Sequence, residues 1–257
     1  MAKRLWALDA PTITVDQSLM MVGGSGVVTI PMPAFLIEHP AGLVLFDTGP
    51  AFDAADDPES VYGPLAEMFD MRFPAAVRVD RQLGDLGYKT SDVRYVVASH
   101  LHFDHAGGRS LVPDATFLVG PGEMRYAYWP DKAGAAFFRR EDFEPTREFN
   151  WLELPGGEHD VFGDGALVVF CTPGHTPGEL SMLVRLPERN FLLVGDTVHL
   201  RVALEGEIPN MFDANTQVAA ESIRRLKLIR AAADATVWIS HDPEDWAEFG
   251  HAPQCFE

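Results

Sequence analysis

A chain of 257 residues, 47% hydrophobic and 23% charged, is long enough to bury a substantial core, and its composition excludes long disorder, collagen-like repeats or a coiled coil as the main architecture. With 38 acidic residues against 20 basic ones the formal charge is −18, which argues against nucleic acid and against stable membrane association as partners. Near the start, Lys3 and Arg4 precede only four apolar residues before Asp9, too few for a secretory signal core, and no later run approaches a membrane span. Cys171 and Cys255 supply no disulfide framework, so the expected location is cytoplasmic.

In chain order, residues 27–30, 34–37 and 43–46 read as short strands parted by Pro31, Pro33 and the turn at 40–42. Helices are expected over 61–68 and 80–86, and a strand over 94–98. Further strands are expected over 116–119, 167–171, 180–186, 191–194 and 236–239. Between the last two, Asp213 or Asn215 is placed to cap a helix whose Val218, Ala219, Ser222, Ile223, Leu226 and Ile229 share one side, with Glu221 able to pair with Arg224 or Arg225. No linker or internal repeat interrupts this alternation, so residues 1–257 read as one domain.

The sharpest feature is Ser99-His100-Leu101-His102-Phe103-Asp104-His105-Ala106-Gly107-Gly108, directly after a strand. Helical spacing would scatter its three imidazoles and one carboxylate, whereas a loop can turn all four inward, with Gly107 and Gly108 permitting a tight exit. Imidazole and carboxylate suit Zn, Fe, Mn or Co, and four such groups can begin a two-metal site. His175 in a Pro/Gly loop, Asp196 and His241 each follow another apolar run, as expected when strand ends converge on ligands. Asp47 repeats the pattern, more as a hydrogen-bond acceptor behind a ligand than as a ligand itself.

This constellation resembles the metallo-beta-lactamase superfamily across nearly the whole chain. The resemblance implies an α/β fold, a four-layer alpha-beta/beta-alpha sandwich with two sheets between outer helices, and two divalent metal ions, Zn foremost. It implies that His100, His102 and His175 hold one ion, that Asp104, His105 and His241 hold the other, and that Asp196 bridges them. The wording His-Leu-His-Phe-Asp-His and the terminal Ala-Pro-Gln-Cys-Phe-Glu resemble the N-acyl homoserine lactonase branch. The clearest departure is His199, where these lactonases commonly carry a tyrosine that contacts the substrate carbonyl.

The resemblance implies lactone-ring hydrolysis by a metal-bridging hydroxide, with Asp104 as proton shuttle and His199 assisting the carbonyl. An acyl chain needs an apolar wall, for which Met20, Met21, Phe69, Phe73, Tyr126 and Phe138 are the candidates; each could equally complete the core. Hydrolysis of another lactone or ester, such as a pyridoxolactone-like compound, is a second reading, and a non-catalytic metal-binding or interaction protein is a third. A homodimer is left open.

Overall fold

The computed structural model describes residues 1–132 and 134–257. Its strands are Arg4–Ala7 (β1), Thr12–Asp16 (β2), Val27–Pro31 (β3), Phe35–His39 (β4), Gly42–Phe46 (β5), Val93–Val97 (β6) and Thr116–Val119 (β7). They continue with Asn150–Glu153 (β8), Glu158–Asp160 (β9), Leu167–Cys171 (β10), Leu180–Arg185 (β11), Asn190–Leu193 (β12) and Ala235–Trp238 (β13). One sheet runs in the order β1-β4-β5-β6-β7-β8, the other β13-β12-β11-β10-β9, and β2-β3 form a separate hairpin.

Side chains alternate across each strand, and that alternation builds the layers. Leu5, Phe35, Ile37, Val44, Phe46 and Val97 face Val169, Leu180, Met182, Val184, Phe191, Leu193 and Trp238 in a core between the two sheets. Their neighbours Trp6, Leu36, Leu45 and Val96 point the other way and pack on Val79 and Leu83 of the helix Val79–Asp85. On the far side, Leu183, Leu192 and Val194 pack on Ile223 and Leu226 of the helix Thr216–Ala233. Helix, sheet, sheet and helix give the alpha-beta/beta-alpha sandwich expected above.

Strand direction explains where the site lies. β5, β6, β7 and β8 are parallel, so their C-terminal ends share one edge. β10 is antiparallel to β11, β11 is antiparallel to β12, and β12 is parallel to β13. The C-terminal ends of β10, β12 and β13 therefore also share an edge. Asp47, His100, His175, Asp196 and His241 all emerge from those ends.

Several expectations need correction. The helix expected over 61–68 is two helices, Pro58–Tyr62 and Pro64–Met68, because Pro64 disfavours helical backbone before it and Gly63 turns to φ 53°. Glu221 does not take the arginines beside it: Arg224 donates to Glu207 at 2.7 Å and Arg225 to the Cys171 carbonyl at 2.8 Å. Asn215 rather than Asp213 caps that helix, accepting from Val218 N–H. Gly107 and Gly108 have no special dihedral. A Cβ on either would come within 2.4 Å of the backbone at Ala51 or Thr48, so they are glycine because the metal loop lies directly against the 48–51 turn. Nor is the motif all loop, since Asp104 and His105 sit on the one-turn helix Phe103–Ala106.

Candidate metal centre

Seven donor side chains from four strand ends converge. His105 and His241 present Nε2 atoms 3.1 Å apart, each 3.1 Å from Asp196 Oδ1. Asp104 Oδ2 lies 3.7 and 3.6 Å from the same two nitrogens. The other oxygen of Asp196 faces a second group, with Oδ2 at 3.5 Å from His175 Nε2 and 4.0 Å from His100 Nε2. His175 Nε2 is in turn 3.1 Å from His102 Nδ1. The donor atoms of His100, His102 and His175 all lie within 4.8 Å of one another, as do those of Asp104, His105 and His241. Asp196 spans the two triads, and the site is binuclear.

The outer ring nitrogens settle which atoms face inward. His105 Nδ1–H donates to Asp47 at 2.9 Å, His175 Nδ1–H to Asp213 at 3.0 Å, and His241 Nδ1–H to the Pro31 carbonyl at 2.7 Å. His100 Nδ1 lies 3.0 Å from Ser99 Oγ and 3.2 Å from Glu179 Oε2. Each of these bonds leaves a lone pair on Nε2, aimed at the centre. Two such lone pairs 3.1 Å apart repel unless a metal ion or a proton lies between them. Nitrogens about 2.0–2.1 Å from a tetrahedral zinc are about 3.3–3.4 Å apart, so the observed spacing fits an ion. His100 Nε2 and Asp196 Oδ1, buried and without a hydrogen-bond partner among the described residues, point the same way.

Electrostatics agree with this reading. Burial, then the neighbouring imidazoles of His105 and His175, hold His100 and His102 well below the usual histidine range, in the neutral form that ligates. Burial would also lower His105, but the carboxylates of Asp196, Asp104 and Asp47 outweigh it and push it well up. Asp196 is held well below the carboxylate range because His105, His241 and His199 outweigh its burial. The pocket thus carries a strong demand for positive charge. Glu179 goes the other way, raised by burial and then by the charge of Asp196. Its Oε1 accepts from Asp196 N–H at 2.9 Å, and Gly195 at φ 55° leaves the room for this, since a Cβ there would strike that oxygen.

Above the donors lies a cavity of about 60 Å³ whose apolar wall comes from Ile13, Val15 and Ile30 of the β2-β3 hairpin, with Leu19, Met20, Phe69, Phe103, Phe137 and Phe212. Asp104, Asp196, His199 and Asn210 supply polar atoms to it. Of the six residues expected to form the wall, Met20 and Phe69 line it. The other four do not. Met21 packs beside the helix Thr216–Ala233 layer, and Phe73 joins the core under the hairpin. Tyr126 turns its hydroxyl to Asp131 at 3.3 Å, and Phe138 packs on the His102 ring from outside at 4.5 Å. The roles of the hairpin, Asn210, Phe212, Glu123 and Glu179 escaped notice in the sequence, and Asp213 was read there only as a candidate helix cap. Glu123 is fully buried and accepts from Leu101 N–H at 2.9 Å and Gly178 N–H at 3.1 Å, tying the loop of His100 and His102 to the loop of His175. His199 Nε2 lies 3.0 Å from Asp196 Oδ2 and 3.3 Å from Asn210 Nδ2.

The family model of the metallo-beta-lactamase superfamily matches residues 32–241, a stretch that holds all seven donors. The N-acyl homoserine lactonase AttM of Agrobacterium fabrum is 36% identical over 98% of both chains. An N-acyl homoserine lactonase of Bacillus cereus is 27% identical over 94% of both. A solved N-acyl homoserine lactone hydrolase, with N-hexanoyl-L-homoserine at its catalytic metal centre, superposes over the full length of both chains with a TM-score of 0.87 at 24% identity, a likeness of fold.

Proposed function

We propose that this chain, which belongs to the metallo-beta-lactamase superfamily in its N-acyl homoserine lactonase-like branch, hydrolyses the lactone ring of N-acyl homoserine lactones and so quenches quorum signals. The observation that carries the reading is the pair of donor triads joined by Asp196 beneath an apolar cavity. His100, His102 and His175 would hold one divalent ion and Asp104, His105 and His241 the other, with one oxygen of Asp196 to each. Zinc suits this imidazole and carboxylate set. Two bound ions supply Lewis-acid polarisation of a carbonyl and activation of a nucleophile at neutral pH.

The protein's own groups do the rest. Asp104, on the cavity wall, is the proton carrier: its Oδ2 stands beside the ligand nitrogens, and its carboxylate can take a proton from the nucleophile and return it to the leaving ring oxygen. His199 faces the cavity beside Asn210, with its Nε2 at 3.0 Å from Asp196 Oδ2, and is the donor we assign to the substrate carbonyl. The wall of Met20, Phe69, Phe103 and the hairpin receives the apolar part of the substrate and keeps bulk water from the donors. No described helix is long and apolar enough to cross a membrane. The two free cysteines support a cytoplasmic location.

Chelation is expected to abolish lactone turnover and zinc to restore it, in a panel of acyl homoserine lactones, simple lactones, a beta-lactam, a thioester and a phosphodiester. Efficient turnover of one nonlactone class without lactone preference overturns the proposal. A purely structural metal protein would lose stability on chelation and never show hydrolysis. For His199, the Phe variant is expected to lower kcat about tenfold or more and the Tyr variant to recover most of the loss, because only Tyr keeps a donor. Unchanged lactone kinetics in both removes His199 from the carbonyl.

A further inference from the structure

On the His199 side, the cavity is walled by chain without regular structure. Residues 207–215 form only turns and irregular backbone between the helices Arg201–Gly206 and Thr216–Ala233, yet Asn210 and Phe212 of this stretch line the cavity. A connector of this kind keeps one shape only through specific hydrogen bonds. One buried carboxylate stands at their root. Asp213 Oδ1 accepts from His175 Nδ1–H at 3.0 Å, and its Oδ2 accepts from the backbone N–H of Asn210 at 2.8 Å. Asn210 Oδ1 then accepts from Phe212 N–H at 2.8 Å, which turns Asn210 Nδ2 to His199 at 3.3 Å. Val22 N–H donates to the Pro209 carbonyl at 3.0 Å, so the loop of Met20 hangs on the same stretch. Helix capping does not account for Asp213, because Asn215 caps the helix that follows.

We infer that Asp213 is a positioning residue with two ends, one fixing His175 for its metal ion and the other fixing the wall at Asn210 and Phe212, so that the first metal triad and the substrate wall are ordered together. The inference goes beyond the lactonase reading and rests on it only for the ligand used in the test. A carboxylate has an acceptor oxygen for each of the two donors. Toward His175 it keeps the proton on Nδ1 and leaves the Nε2 lone pair for the ion. Toward Asn210 it satisfies the backbone donor of a residue only 5% exposed. A metal ion on Nε2 in turn stops the ring from turning, which holds the carboxylate on which Asn210 hangs. Asparagine cannot take over both ends. Its amide has one acceptor oxygen, and its NH2 must face either Asn210 N–H or His175, where it makes the ring accept at Nδ1 and moves the proton to Nε2. Ala214 N–H donates to the His175 carbonyl at 3.1 Å and Asn215 N–H to the Gly174 carbonyl at 3.0 Å, backbone bonds that do not depend on the Asp213 side chain and keep the two stretches aligned in its variants.

The test uses the zinc-loaded protein with Asp213→Asn, Asp213→Ala and, for comparison, Asn215→Ala, which weakens the start of the same helix and leaves both contacts of Asp213 in place. Zinc affinity, by competition with a chelator, is expected to fall about 10–100-fold at one of the two ions in both Asp213 variants. Hydrogen exchange read by mass spectrometry should quicken about tenfold or more over residues 207–213 in the same variants. Calorimetry with ring-opened N-hexanoyl homoserine at saturating zinc should show Kd raised about tenfold, since the wall stays loose even with the ions in place. Asn215→Ala should move none of the three. Weaker zinc with unchanged exchange would make Asp213 a partner of His175 alone, and faster exchange with unchanged zinc would make it a loop anchor alone; either result overturns the inference, as does a homoserine Kd that no Asp213 variant moves. Equal changes in Asn215→Ala would assign the effect to the helix start and overturn it too. Failure of the homoserine to bind the unaltered protein counts against the lactonase reading, while zinc affinity and exchange still decide the role of Asp213.

Discussion

Asp196→Ala is expected to leave fewer than two metal ions per chain and to cut lactone turnover by about 10³-fold or more. The expectation follows from what this side chain does at once. Its Oδ1 closes a triangle of 3.1 Å edges with His105 and His241, and its Oδ2 faces His100 and His175. It also supplies the largest favourable charge at His105 and His241 and a favourable charge at His100, His102 and His175, so its removal takes away negative potential from both triads together. Metal ions supply several kcal/mol of transition-state stabilisation, and each 1.36 kcal/mol is about tenfold in rate, so impaired metal binding costs decades of rate. Asp196→Asn keeps the shape and one acceptor while losing the charge, and should fall between. Metal content by mass spectrometry and kcat/KM on the same preparation check this. A variant that holds two ions and stays within tenfold of the original rate would remove Asp196 from the bridge.

The network behind the ligands bears on the same expectation. Asp47 sits at φ 63°, an uncommon backbone conformation outside glycine, held where it accepts from Ser99 N–H at 2.7 Å, Ser99 O–H at 2.9 Å and His105 Nδ1–H. Glu123 and Glu179 clamp loops from different strand ends against one another through backbone N–H groups. Several of the acidic residues behind the net charge of −18 are therefore buried parts of the centre. Two divalent ions would offset four of those charges.

The ligands could be read from the sequence because each segment that carries them follows a strand, an apolar run giving way within a few residues to histidine or aspartate. That local signal survives without knowing which strands are neighbours. Of the acceptors behind the ligands, Asp47 carries the same signal, since it too follows an apolar run, and it does accept from His105 Nδ1–H; Asp213 and the Pro31 carbonyl carry none. Asp213 reaches His175 across 38 positions, and the Pro31 carbonyl reaches His241 across 210. The cavity wall was only half legible for the same reason: Phe69 and Phe73 are four apart in similar surroundings, and only tertiary packing sends one to the cavity and the other beneath the hairpin. Among strands, β1 was hidden in a short apolar start, and β8 and β9 lie on sheet edges with mostly polar or exposed residues and no alternation to read. Gly107 and Gly108 show a different gap. Their identity was visible, but a clash with the 48–51 turn is a fact of packing and cannot be told from a dihedral requirement in the sequence.

Trp238→Ala is expected to destabilise the protein by about 3–5 kcal/mol, the range for emptying a large aromatic site in a packed core, and to lower the thermal midpoint on the order of 10 °C. Trp238 ends β13 at 1% exposure between the sheets, with ring centroids 5.1 Å from Phe35, 5.4 Å from Phe191, 4.9 Å from Phe249 and 5.8 Å from Phe256. These partners come from both sheets, the helix Pro243–Phe249 and the terminal segment, so no single movement refills the space. The indole N–H is buried without a partner among the described residues. Trp238→Phe keeps most of the apolar body and removes that unmet donor, so it should cost less than about 2 kcal/mol. The site feels the change too, because His241 stands three residues beyond Trp238 and its Nε2 must stay 3.1 Å from His105. Melts with chelator and with zinc separate the two effects: the Ala variant should be destabilised in both and should gain less from zinc than the unaltered protein, since ligand binding stabilises in proportion to affinity for the folded state. An equal zinc increment in both proteins would mean that the His241 strand end holds its position without the aromatic cluster beneath it.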